Sequence, residues 1–262
     1  MCGAIRCSGM GEESYPQVIP RPETARPGRE APWPSGELGP GHFTAEQLHL
    51  ALEREGLAGQ PPEGVTEAFS PRFGQIDAAR LAEIRHRSAV LIALFEEEGT
   101  LRVLLTRRAS HLRSHRGEVS FPGGRLEEGE LAIEGASREA HEEVGLDPKL
   151  VRPVGYLNPL ITFASASLIN PVVALLPGRP GGLAPNPDEV ERIFDVALYE
   201  LTHPGVFHEE RWSHADHPAP GSPDGSFPIW FFGVEGEMVW GATARMLYEL
   251  IHLFLDLELT FH

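Results

Sequence analysis

The stretch that most constrains this chain is Gly124 to Leu146, GRLEEGELAIEGASREAHEEVGL. Written as a helix, Glu139, Glu142 and Glu143 fall at i, i+3 and i+4, which puts three carboxylates on one face. Ala136, Ala140 and Val144 fall at i, i+4 and i+8 and give a narrow apolar stripe towards a core. Gly145 is the expected stop, because glycine takes the left-handed cap conformation without a steric penalty. Like charges at these spacings destabilise a helix by a few tenths of a kcal/mol per pair, so the face calls for a counter-charge. Convergent hard oxygen ligands suit Mg²⁺ or Mn²⁺. Taken alone, an acidic helix face is more often simply solvated.

The flanking residues change that balance. Gly124, Glu130, Arg138, Glu139, Ala140, Glu142, Glu143, Gly145 and Leu146 spell G-x5-E-x7-R-E-U-x-E-E-x-G-U without a break, with Ala140 the one small residue at an aliphatic position. The stretch resembles the Nudix box, the signature of hydrolases that cleave a nucleoside diphosphate linked to another group. The resemblance implies an α/β Nudix fold, a mixed β-sheet sandwiched between α-helices. It also implies that Glu139, Glu142 and Glu143, with the Gly123 carbonyl, hold Mg²⁺ or Mn²⁺. Arg138 would orient the carboxylates and Glu130 would support them.

A second pattern precedes the box. Leu104-Leu105-Thr106-Arg107-Arg108-Ala109, then Arg113, Gly117 and Phe121-Pro122-Gly123-Gly124, reads L-L-T-x-R-[S/A]-x3-R-x3-G-x3-F-P-G-G. It resembles the sub-signature of Nudix enzymes that hydrolyse coenzyme A and its derivatives. Together the two patterns span Leu104 to Leu146. Coenzyme A carries a diphosphate and a 3′-phosphate, and such a substrate needs fixed positive donors. Arg108 and Arg113 stand at positions of the pattern; Arg107 and Arg116 add charge beside it, and all four are expected to bind substrate. One departure concerns the segment after the box, where the family usually carries a Ser-Gly pair and this chain has Thr162 to Ile169, TFASASLI. The acyl or pantetheine preference is therefore open. Glu189, within Asn186-Pro187-Asp188-Glu189-Val190-Glu191, is the expected further acidic ligand or base. The resemblance implies a small-molecule substrate, coenzyme A or acyl-CoA; a homodimer is compatible with it. Rival readings are a pyrophosphatase for a nucleotide sugar or dinucleoside polyphosphate, and a Nudix-fold ligand sensor without turnover.

Composition bounds the rest. Acidic residues number 38 against 22 Lys and Arg in 262 residues, a net charge of −16. That argues against a general nucleic-acid binder, whose affinity rests on cations at phosphates. Cys2 and Cys7 offer no disulfide framework, which fits a reducing cytoplasm. No apolar run is long enough to span a membrane, and the start lacks a secretory signal.

Residues 1–42, rich in Pro, Gly, Glu and Arg without hydrophobic period, read as a disordered tail, with Met10 a second start. Residues 43–85 read as a helical extension outside the catalytic unit, and 86–262 as the hydrolase domain. Thr44 to Gln47 forms a capping box with Phe43 and Leu48 as a staple, opening a helix from Ala45 to Glu55; a second helix is expected at Asp77 to Arg85. Ser88 to Phe95, Leu101 to Thr106, Val154 to Ile161, Leu168 to Leu176, Arg192 to Leu198 and Phe227 to Val234 read as strands. Pro171 suggests an edge or bulge. Phe207 to Ser226 reads as a long polar loop, and the His203, His208, His214 and His217 within or beside it are too irregular for a metal site. A final helix is expected from Ala242 to Leu257, with Met246, Leu250 and Leu253 on one face.

Overall fold

The computed structural model describes residues 17–34, 38–59, 84–112, 114–162, 167–213 and 224–255. The helix expected at Asp77 to Arg85, Cys2, Cys7, Arg113, His214 and His217 lie wholly or mainly outside them.

The long strand β2 (His86–Glu97) is the spine. Its residues alternate between two cores, as a period of two requires. Ala89, Leu91, Ala93 and Phe95 face one core, Ile92 and Leu94 the other. Glu98 and Gly99, both with positive φ (51° and 74°), turn the chain into β3 (Thr100–Arg108), which pairs antiparallel with β2. β8 (Ser167–Leu175) lies parallel to β2 on its other side. The short strands β4 (Val119–Ser120) and β5 (Gly123–Arg125) join β3 and β2 respectively. β6 (Arg152–Tyr156) and β7 (Leu160–Thr162) pair with β8, and β9 (Val190–Ala197) with β3. The result is a mixed eight-stranded sheet.

Pro171 is not at an edge, because β8 has partners on both sides. It sits opposite the gap between β6 and β7, where β8 makes no ladder pair with either. Its carbonyl accepts the Leu157 N–H at 3.1 Å, so the missing donor of proline costs the sheet little.

Helix α2 (Ala132–Val144) covers one face of this sheet through Ala136, Ala140 and Val144, all fully buried, and ends at Gly145 in the left-handed conformation (φ 71°). The other face is covered by α1 (Ala45–Arg54), by α3 (Gly241–Leu255), and by a second, antiparallel sheet. That sheet has the order β1 (Arg26–Pro27), β10 (Phe207–Ser213), β11 (Ser226–Val234), β12 (Glu237–Trp240). Met246, Leu250 and Leu253 of α3 are buried, on the face the spacing indicates.

Three expectations need correction. The polar segment from Phe207 is not a loop over 207–213: it is strand β10, paired along its length with β11. Residues 17–34 of the supposed tail are packed against the body. Arg26–Pro27 adds an edge to β10, and Trp33, 3% exposed, stacks among Phe207, Phe232 and Tyr248. Residues 43–59 of the extension belong to the same core as well. Thr44 and Gln47 exchange the two hydrogen bonds of a capping box (3.1 and 3.3 Å), while Phe43, Leu48 and Leu52 are buried in one cluster with Leu101 and Val103.

Candidate active site

The box helix is anchored by its alanine stripe, and that anchoring decides where the carboxylates go. Successive helical residues are turned by about 100°, so Glu142 and Glu143 flank Glu139 on opposite sides. The side chain of Glu143 is 3% exposed and that of Glu142 is 54% exposed, with Glu139 between them at 16%. The shared face is therefore graded from core to solvent.

Arg138 organises this face. Its guanidinium donates to both oxygens of Glu130 (2.9 and 3.0 Å), to Glu139 (3.0 Å), to Glu142 (3.3 Å) and to the Arg125 carbonyl (3.1 Å). Glu130 also accepts the Glu127 N–H at 2.8 Å, and the Arg138 contact holds its carboxyl below the usual range. Glu130 thus fixes Arg138, and Arg138 fixes the two outer box carboxylates.

On the sheet side the partner is the Phe121-Pro122-Gly123-Gly124 turn. The Gly123 N–H donates to Glu143 Oε2 at 3.1 Å. A Cβ at Gly123, where φ is 155°, would lie 2.4 Å from the Ala89 carbonyl oxygen. A Cβ at Gly124 would lie 2.4 Å from the Glu139 carboxyl carbon. Gly123 thus lets the turn lie close against β2, and Gly124 leaves the space into which the Glu139 carboxylate closes.

The electrostatics follow from this crowding. Burial raises Glu143 to about 7, against the Gly123 hydrogen bond and Arg108, which lower it; the charges of Glu189 and Glu139 raise it further. Glu139 is raised chiefly by burial, against Arg138, with Glu142 and Glu189 adding to the rise. Glu189 is therefore electrostatically part of the cluster. Its segment is docked there by main-chain bonds from Asn186 N–H to Glu143 O (2.8 Å) and from Ala109 N–H to Glu189 O (2.8 Å).

The arginines of the second pattern separate. Adjacent residues of a strand face opposite sides, and Arg107 and Arg108 end β3 in that way. Arg108 approaches Glu143 at 3.7 Å. Arg107 points to the second sheet, where it pairs with Glu237 (2.5 Å), and it also reaches Glu191 of the neighbouring β9 (3.2 Å). Arg116 is exposed on the turn before β4, and Arg113 lies outside the described residues. Sequence reasoning did not anticipate Arg125, whose carbonyl holds Arg138, or the Arg108–Glu143 contact. The histidines are elsewhere: His208 stacks on Phe231 (4.5 Å, 2° between planes) and His203 lies against Tyr199.

Among the described residues no three His, Cys, Asp or Glu form a preformed ligand cluster. The carboxylates are instead held by Arg138 and by the Gly123 N–H. The donor set still fits a hard divalent cation. It is all oxygen, carries excess negative charge at partly desolvated positions, and among the described residues has only Arg138 and Arg108 in salt bridges with its box carboxylates.

A mixed sheet between helices, with an acidic helix closing on a Gly-Gly turn, defines a class of α/β proteins. Residues 85–216 match the family model described as NUDIX domain. Nudix hydrolase 22, chloroplastic, of Arabidopsis thaliana is 39% identical over 176 residues, covering 64% of this chain and 56% of that protein. The Photorhabdus laumondii protein called Uncharacterized Nudix hydrolase NudL is 36% identical over 168 residues, covering 63% of this chain and 83% of its own. This chain belongs to the Nudix family. It spans about half the length of the plant relatives it matches, 56% for both Nudix hydrolase 22 and Nudix hydrolase 15, mitochondrial. Among solved structures, the Mycobacterium smegmatis Nudix hydrolase RenU aligns at a TM-score of 0.39 with 24% identity, over 46% of this chain and 78% of that one. Among the described residues no helix is long and apolar enough to cross a membrane.

Proposed function

We propose that this protein is a divalent-metal-dependent pyrophosphohydrolase that cleaves the diphosphate of coenzyme A or acyl-CoA, giving 3′,5′-ADP and (acyl-)4′-phosphopantetheine. The observation that carries the reading is the joining of the two sequence patterns at one place. The Phe121–Gly124 turn that ends the coenzyme A pattern receives Glu143 and Glu139 of the box, and Arg108 of the same pattern reaches Glu143.

Glu139, Glu142, Glu143 and the Gly123 carbonyl would hold Mg²⁺ or Mn²⁺, with Glu189 as a further ligand or base. Bound there, the metal supplies Lewis-acid polarisation of a phosphoryl oxygen and a lowered pKa for attacking water. The protein's own contribution is placement. Arg138 keeps Glu139 and Glu142 in register through charge-assisted hydrogen bonds, and Glu130 keeps Arg138 in place. Burial keeps Glu143 on the sheet side, next to Arg108, where an anionic substrate meets its first fixed cation. Arg113, by its place in the pattern, would be a second substrate-binding cation.

The test is incubation with coenzyme A and Mg²⁺ or Mn²⁺, resolving the nucleotide product. Formation of 3′,5′-ADP that falls at least a hundredfold in Glu142→Gln is expected. Brisk turnover of a nucleotide sugar with none of coenzyme A would overturn the substrate assignment and leave the hydrolase class standing.

A further inference from the structure

We infer that the cleft at the amino-terminal end of α2 is a subsite for a phosphate monoester, the one carried by the substrate at a distance from its diphosphate. The inference rests on the reading above for the identity of that substrate. The cleft has a volume of about 700 Å³ and is lined by Arg85, Arg87 and Arg125 together with Glu127, Glu128 and Glu130.

Three observations bear on it. First, these arginines differ from most others in the fold; Arg116 and Arg152 are exposed in the same way, but singly and outside the cleft. Arg21, Arg26, Arg54, Arg102, Arg107, Arg108, Arg138, Arg179, Arg192 and Arg211 all reach a carboxylate. Among the described residues the guanidinium groups of Arg85, Arg87 and Arg125 have no hydrogen bond or ion pair. In a chain of net charge −16, three cations gathered in one concavity without a carboxylate partner among the described residues invite an anion, and guanidinium forks match phosphate oxygens.

Second, the acidic lining does not cancel them. Glu130 is already neutralised by two nitrogens of the Arg138 guanidinium, which leaves Glu127 and Glu128 against three guanidinium groups that have no partner among the described residues. The first turn of α2 borders the cleft and adds the positive end of a 13-residue helix.

Third, the cleft is mechanically continuous with the box. Glu130 lines it and holds Arg138, which holds Glu139 and Glu142; Arg125 lines it and its carbonyl accepts from Arg138. Along α2, the seven residues from Ala132 to Glu139 amount to roughly 10 Å of helix rise. A substrate with its diphosphate at the carboxylates and a second phosphate further along the molecule fits both ends. Arg108 and the Arg113 segment then serve the diphosphate, and the Arg85–Arg87–Arg125 cleft serves the monoester.

The test uses the full chain with Mg²⁺ and two nucleotides, 3′,5′-ADP and 5′-AMP, measured by calorimetry. Wild type is expected to bind 3′,5′-ADP at least tenfold more tightly than 5′-AMP. Arg87→Ala and Arg125→Ala should each cut that preference about threefold or more, and the double variant should abolish it while 5′-AMP affinity stays within about twofold. Arg87 and Arg125 are exposed, so the variants should fold; an unchanged melting temperature confirms this, and Arg87→Lys should recover part of the preference. Loss of the preference in Arg113→Ala but not in Arg87→Ala would overturn the assignment. So would inorganic phosphate binding at the same arginines in enzyme already saturated with 3′,5′-ADP, which would mark a separate anion. Because this readout is binding, a preference for 3′,5′-ADP without coenzyme A turnover separates failure of the proposed reaction from failure of the cleft.

Discussion

At Gly124 the box becomes a packing constraint. The Glu139 carboxyl carbon lies 2.4 Å from where a Cβ would stand, so Gly124→Ala must shift the carboxylate that Arg138 holds. We expect kcat to drop at least tenfold, a loss of about 1.4 kcal/mol of transition-state stabilisation, with little change in melting temperature. Unchanged kcat would show that Glu139 works from another position. A second residue, Glu249 of α3, is buried outside the box, where its carboxylate accepts the Asn158 N–H and Nδ2 at 2.8 and 2.7 Å. Burial raises it to about 7, against Asn158 and Arg245, which lower it. The folded chain therefore holds this proton more tightly than the unfolded chain. The contribution is full below pH 4.5 and is lost as pH rises towards 7, about 3 kcal/mol in all. Glu249→Gln, which keeps an acceptor for Asn158 and does not ionise, should flatten the stability–pH curve over that window. Parallel curves for the two proteins from pH 4.5 to 7.5 would reject the assignment.

The elements show what a sequence pattern can and cannot carry. Local rules were sufficient where the decisive partner is nearby in the chain. The Gly145 cap, the Thr44–Gln47 box and the Glu98-Gly99 turn all stand where their residue types required. Strand β10 failed because its alternation is disguised. Phe207, Glu209 and Trp212 are its buried residues, and a glutamate at an inward position reads as loop. Glu209 is tolerated because Arg29 N–H (3.4 Å) and Arg211 (3.9 Å) face it, partners 180 residues and two residues away. Residues 17–34 failed for a related reason: a single anchor among prolines has no period. In the site, box spacing located the carboxylates and the Gly-Gly turn, while the split of Arg107 from Arg108 needed the end register of β3, where the pairing with β9 shifts. The anchor yields a test. Trp33→Ala removes a ring packed against Phe207, Phe232 and Tyr248 and should cost about 3–5 kcal/mol. Deleting residues 1–42 should destabilise at least as much. A melting temperature unchanged by either would show that the segment is dispensable to the fold.

For the whole molecule the question is how the second sheet is fastened to the catalytic one. Much of the junction is apolar, through the cluster that includes Phe207, Phe232, Val239 and Leu247. The polar part is a three-way ion cluster. Glu237 of β12 is 1% exposed, and its Oε1 accepts from Arg107 of β3 (2.5 Å) and Arg192 of β9 (2.8 Å). Arg107 therefore ties the second sheet to one face of β3, while its neighbour Arg108 meets Glu143 on the other. Breaking such a cluster from one side strands charge that has already left water, whereas replacing all its members with apolar groups removes the desolvation cost along with the attraction. Glu237→Ala should thus lose about 3–5 kcal/mol, lowering the melting temperature by roughly 10 °C in a chain of this size. The triple variant Arg107→Met, Arg192→Met, Glu237→Leu should recover most of that loss. Activity of Glu237→Ala, assayed well below its transition, should stay within about twofold of wild type if the cluster only fastens the sheets. A larger fall in kcat/KM at intact folding, mirrored in Arg107→Met, would show instead that the cluster sets the register of β3 and, through it, the position of Arg108 at Glu143.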